Sequence, residues 1–199
     1  HEAQHEIGNG LGRIVETARE FLANLTEFIR RSRLVTLPPD PVDVIVMPEF
    51  QRGTSLAYCD SPGPLDVGQK TFYAIAPPPA DWSAEQVRSL LREYNTRSLC
   101  NLTVHEAMPG HFLQLAHANR YDSPLRAMLA SGTFIEGWAV YAERMVIDEG
   151  FMDGDPLMRL VVLKWYLRGI VNAIIDQAIH VEGMTRDVAM ALMVEGDDQ

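Results

Sequence analysis

A proline and a glycine lie inside an otherwise helical run, Val104-His105-Glu106-Ala107-Met108-Pro109-Gly110-His111, and they constrain this chain more than any other feature. Proline removes a helical N–H and clashes with the carbonyl four residues back, here that of His105. Glycine accepts whatever backbone the break requires. Two histidines flank the break, six positions apart. In a regular helix four positions advance the chain by about 400° and share a face, whereas six advance it by about 600° and turn the second side chain about 120° away. An uninterrupted helix would hold His105 and His111 apart. The Pro-Gly pair predicts a kink or bulge that resets the register and brings His111 back toward His105.

The residues around the break suit a metal. Two neutral imidazoles and one carboxylate form the three-protein-ligand set of an open catalytic zinc, with the fourth position left for water. A glutamate beside a ligand can accept that water's proton. Glu106 follows the first histidine directly, and a second acid stands in Glu136-Gly137-Trp138-Ala139. The familiar zinc-helix motif spaces its histidines by four rather than six.

HEAMPGHFLQ followed by FIEGWAVYAE resembles the bacterial domain-of-unknown-function 885 family, whose members carry HExxPGH and then EGWA. That family is similar to the gluzincin-type zinc peptidases. The resemblance implies a mainly α (α+β), zincin-like helical metallopeptidase domain. It implies His105, His111 and Glu136 as ligands of one zinc ion and Glu106 as the general base. Arg168 through Asp176 to His180 resembles the family's R…VD-G-H segment, although Ile175-Asp176-Gln177-Ala178-Ile179-His180 departs from it in the small residues. The likeness covers a central-to-C-terminal part of the family, and a later segment rich in Arg-Tyr and Pro-Gly-Gln has no counterpart.

Along the chain, His1-Glu2-Ala3-Gln4-His5 fits H-E-x-x-H outright. It stands at the terminus, where segments fray unless tied down, and Gly8, Gly10 and Gly12 follow at once. We read it as a chance match. Leu11, Ile14, Val15, Ala18, Leu22, Leu25 and Ile29 then repeat at helical spacing. Arg30, Arg31 and Arg33 close that helix on the side favoured by its dipole. Prolines 38, 39 and 41 stop it. Val42–Met47, Ser55–Cys59 and Thr71–Ala76 are strand candidates separated by turns, and a small antiparallel sheet is the economical reading. An edge strand beside the metal could pair with substrate backbone, with Tyr73 or Tyr58 bordering the cleft or simply packing in the core. Residues 1–82 form an N-terminal lobe in this outline, and residues 83–199 the helical metal-site region of one domain.

Ser83 and Gln86 make a capping box. An apolar stripe through Val87, Leu90, Leu91, Tyr94 and Leu99 leads into the motif. His117 is expected on a helix face or behind the ligands. Glu136 and Glu143 are seven apart, so both could face the metal, with Glu143 supporting the ligands or lying on the surface. Trp138 packs, and Tyr141 packs or reaches the cleft. Leu157 to about His180 reads as a helix apolar on most sides, hence buried. Charges inside such a helix need partners, so two readings stand. His180, with Tyr141 or Arg168, could stabilise an oxyanion while Asp176 orients it. Alternatively Arg168, Asp176 and His180 form an ion network between helices. Thr185–Val194 reads as a short helix, and Glu195–Gln199 as an unstructured acidic end.

Composition narrows the partners. The 199 residues carry a formal charge of −10, with 47% hydrophobic and 22% charged residues, which is a globular profile without the basic footprint of nucleic-acid binding. No apolar run is long enough to span a bilayer. HEAQHEIGNG is no signal peptide. Cys59 and Cys100 are too few for a disulfide framework, so a reducing, cytoplasmic compartment is the default. A peptide is the expected substrate, and exposed apolar helix faces would favour a homo-oligomer. Two histidines and a carboxylate also suit iron, cobalt or manganese. The competing function is a non-catalytic module, metal-stabilised or peptide-binding. A serine or cysteine hydrolase lacks its nucleophile elbow here.

Overall fold

A computed structural model describes residues 2–66 and 68–195, with side chains described from residue 12. His1 and the side chains of the HEAQH stretch lie outside the described residues, as do the last four acidic-end residues. The first helix, α1 (Glu2–Ser32), buries Val15, Ala18, Phe21, Leu25 and Ile29 along one stripe and ends on Arg30 and Arg31. Leu25 and Ile29 are fully buried. Leu25→Ala should therefore cost about 2–5 kcal/mol of stability, measured by chemical denaturation.

Three strands follow: β1 (Val42–Val46), β2 (Ala57–Asp60) and β3 (Thr71–Ile75). Their order is β1-β3-β2, with β1 parallel and β2 antiparallel to β3. The sheet is therefore mixed and not antiparallel. Burial explains the order: Thr71, Tyr73, Ala74 and Ile75 are all buried, so β3 takes the centre, while β1 and β2 keep exposed positions and form the edges. Periodicity alone reads the same for either pairing, because alternation describes faces and not neighbours.

The helical part comprises α2 (Ala84–Glu93), α3 (Thr96–Glu106), α4 (His111–Ala118), α5 (Pro124–Met128) and α6 (Gly132–Asp148). The capping box forms as expected: Gln86 N donates to Ser83 Oγ at 3.3 Å and Ser83 N to Gln86 Oε1 at 2.9 Å. The stripe expected to run unbroken into the motif is divided by Asn95, whose Oδ1 accepts from Arg97 N and Ser98 N and starts α3 afresh. Helix α3 is the hub. It packs against α1, α6 and β2 and meets α4 at its own C-terminus.

The chain divides into two compact units, His1–Met158 and Arg159–Gln199, and the boundary falls inside α7 (Pro156–Glu182). The second unit contains the rest of α7 and α8 (Arg186–Glu195), joined at Gly183 (φ +75°) with Met184 N bonded to Ala178 O at 2.9 Å. The sequence suggested a buried α7. Instead Leu163, Leu167, Ile170 and Ile174 are exposed, and the buried residues of the helix are Met158, Ile175 and Ala178. A helix apolar on most sides has more such surface than one neighbouring helix can cover. No helix among the described residues is long and apolar enough to cross a membrane.

Candidate metal centre

The Pro-Gly break does what its chemistry predicts. Helix α3 stops at Glu106, where Ala107 N and Met108 N both bond Thr103 O and Gly110 N bonds Val104 O at 2.9 Å. Helix α4 then restarts at His111, with Gln114 N on Gly110 O. The reset brings the two imidazoles edge to face, their centroids 4.7 Å apart. Trp138 Nε1 donates to Pro109 O at 2.9 Å and ties the turn to α6.

Helix α6 begins at a serine cap, Ser131 Oγ accepting from Phe134 N, and carries Glu136 over the histidine pair. Glu136 Oε2 lies 3.7 Å from His105 Nε2 and 3.6 Å from His111 Nε2. One ligand atom from each of the three residues falls within 4.8 Å of the others, the one such grouping among the described residues. Ligands bonded at about 2.0–2.2 Å to one tetrahedral ion stand roughly 3.3–3.6 Å apart. The two His–Glu separations are close to that spacing, and the donor types suit a divalent cation such as zinc. Both histidines are largely buried, while the Glu136 side chain is 68% exposed, so one side of the centre is open.

Burial and the neighbouring charges set the electrostatics of the cluster. Burial, followed by the charge of His105, lowers His111 to about 4 against the opposing pull of Glu136. Its imidazole is neutral near pH 7, the form that can bind a metal. Burial also pulls His105 down, but the hydrogen bond and charge of Glu143, with Glu106 and Glu136 behind them, outweigh it and raise the group. Glu106 is buried, and burial raises it to about 7 despite His105 and a hydrogen bond from the Cys59 backbone.

That last bond orients β2. Ala76 N donates to Leu56 O, so by alternation Tyr58 and Asp60 turn their backbone groups toward β3, and Ala57 and Cys59 turn theirs to the free edge. The unpaired edge of the sheet thus passes the Glu106 carboxylate. Tyr73, in contrast, is wholly buried against Thr103 Oγ1 at 3.4 Å and does not border the cleft.

The other sequence candidates fall in several places. Glu143 is buried, and its Oε1 lies 2.6 Å from His105 Nδ1. Tyr141 is exposed, stacked at a tilt on Trp138, and sits five residues beyond Glu136, about 140° round α6. His117 Nε2 is 2.7 Å from Thr36 O, which fastens α4 to the loop after α1. Arg168, Asp176 and His180 belong to the second unit. There the Arg168 guanidinium lies 5.5 Å from the centre of the Trp165 ring, and His180 Nε2 lies 3.5 Å from Asp176 Oδ1. Asn101, missed in the sequence, donates from Nδ2 to Glu143 Oε2 at 2.7 Å. Its place one helical turn before His105 was the available signal.

Comparison with known proteins agrees with this architecture. A putative lipoprotein of unknown function from Shewanella oneidensis superposes with a TM-score of 0.80 at 40% identity, over 94% of this chain and 33% of that one. The putative lipoprotein from Colwellia psychrerythraea gives 0.76 at 25% identity, over 94% and 30%. The chain thus spans about a third of the length of each structure. None of the curated proteins matches it. The family described as "Bacterial protein of unknown function (DUF885)" matches residues 3–198, and the chain belongs to that family.

Proposed function

We propose that this chain carries the metal-and-base part of a zinc-dependent hydrolase of peptide bonds. The observation that supports it is the meeting of His105 Nε2, His111 Nε2 and Glu136 Oε2 beside the buried Glu106 carboxylate. His105, His111 and Glu136 would hold the ion. Bound there, zinc supplies Lewis acidity toward the scissile carbonyl and toward water. Glu106 accepts the proton of the attacking water and returns it to the leaving amine. Its raised pKa, about 7, suits both halves of that exchange. The outer edge of β2, where the Cys59 N–H already bonds Glu106, would offer an extended peptide a strand to lie against, which lays its carbonyls past Glu106.

Metal content tests this directly. Elemental analysis of the purified chain should find about one zinc per chain, and His111→Ala should lose it, because two remaining ligands no longer close a site. Zinc absent from the wild type after zinc is supplied, or retained in full by the variant, overturns the reading. The lipoprotein descriptions of the two similar structures also favour a secreted or membrane-anchored setting for the full protein over the cytoplasmic default.

A further inference from the structure

We propose that Glu143 is a positioning residue of this centre, a buried carboxylate that fixes the tautomer and rotation of His105 and is itself clamped by Asn101. The inference rests on the zinc reading above and adds a residue to it. Glu136 and Glu143 are seven apart on α6, about 700° of helix, so they share a face to within about 20°. They do not share a task. Glu136 Oε2 approaches His105 at Nε2, from 3.7 Å, while Glu143 Oε1 meets the same ring at Nδ1, from 2.6 Å. The two acids of one helix therefore address opposite nitrogens of one imidazole.

The second oxygen of Glu143 is also occupied, accepting from Asn101 Nδ2 at 2.7 Å. Asn101 and His105 are one turn apart on α3, so a single carboxylate bridges two donors on one helix face. A carboxylate only accepts. Against an ionised Glu143 the shared hydrogen belongs on His105 Nδ1, which leaves the lone pair of the neutral ring on Nε2, the atom that faces Glu136. A second partner of this kind both selects the tautomer and strengthens the ligand. His111 has no equivalent: its buried Nδ1 makes no hydrogen bond among the described residues. His105 is the ligand set in place beforehand, and His111 follows the turn.

Two measurements on the full chain test the idea. Zinc affinity, read by competition with a chromophoric chelator, should fall about 10–100-fold in Glu143→Ala. Glu143→Gln, which keeps an acceptor and the side-chain shape, should recover most of that loss. Histidine 15N shifts of the metal-free wild type should show hydrogen on Nδ1 of His105, and this readout needs no variant if Glu143→Ala fails to fold. Hydrogen on Nε2 instead, or wild-type affinity in a folded Glu143→Ala, overturns the positioning role and leaves the zinc reading intact. A wild type that binds no zinc overturns both.

Discussion

Gly110→Ala should abolish metal binding and lower stability by about 3 kcal/mol or more, at the upper end of what forced overpacking costs. A Cβ at Gly110 would stand 1.8 Å from His105 O and 2.4 Å from Val104 O. Both obstacles are backbone, so no side-chain rotation relieves them. The turn would have to open, breaking Gly110 N to Val104 O, and that bond sets where α4 restarts. His111 is the first residue of α4, so an opened turn moves the proposed ligand itself. For a chain of this size a loss of 3 kcal/mol corresponds to roughly 6–12 °C in melting temperature. Gly137, in the Glu136-Gly137-Trp138-Ala139 stretch, is the control. Nothing lies within 4 Å of a Cβ built there, and in mid-helix Gly137→Ala should stabilise by roughly 0.4–1 kcal/mol. Thermal melting of the two variants, with zinc content measured alongside, checks the contrast. A Gly110→Ala chain that melts and loads like the wild type would sink the account of the turn.

The contrast shows which parts of the fold were legible in the sequence. The break at Pro109-Gly110 is a local steric fact, so the six-residue spacing of His105 and His111 could be turned into a reset register without knowing the rest of the chain. The serine cap of α2 is equally local. Asn95 was missed because the apolar stripe continues across it; its cap, Asn95 Oδ1 on two backbone amides, outweighed a pattern that runs on regardless. Strand pairing lay beyond the sequence for a different reason. The residues of β1, β2 and β3 say which faces are apolar, while neighbour choice depends on how β3 is covered on both sides. The reading of α7 went too far because apolar composition measures what a helix could bury and not what lies beside it.

At the site, the meeting of His105, His111 and Glu136 was legible, and the contacts behind them only partly so. Helical spacing brings Glu143 onto the Glu136 face, but it does not say that Glu143 would meet the far nitrogen of His105. That depends on how far apart α3 and α6 stand. Asn101 and the Cys59 backbone contribute through contacts that no motif contains: one holds Glu143, the other bonds Glu106.

Glu106→Gln should leave about one zinc per chain in place and lower peptide hydrolysis by about 10²–10⁴-fold, the contribution of a positioned acid–base group. The substitution isolates the base. Glutamine has nearly the shape of glutamate, so it fits the same buried space between α3 and β2, and its carbonyl oxygen can still accept the Cys59 backbone N–H. Glu106 is not in the grouping of possible ligands formed by His105, His111 and Glu136, so metal content has no reason to change. The loss is confined to proton transfer, because an amide cannot take a proton from water at neutral pH. An assay with a peptide library on both proteins, with zinc measured in the same samples, reads the two quantities together. The competing function gives a different pattern. A metal-stabilised peptide-binding module would hold peptides equally well with Glu106 or Gln at this position and would hydrolyse them with neither. Equal hydrolysis by both proteins would remove Glu106 from the chemistry. Loss of zinc along with activity would mean that this carboxylate belongs to the ligand set and that the assignment of Glu136 must be reopened.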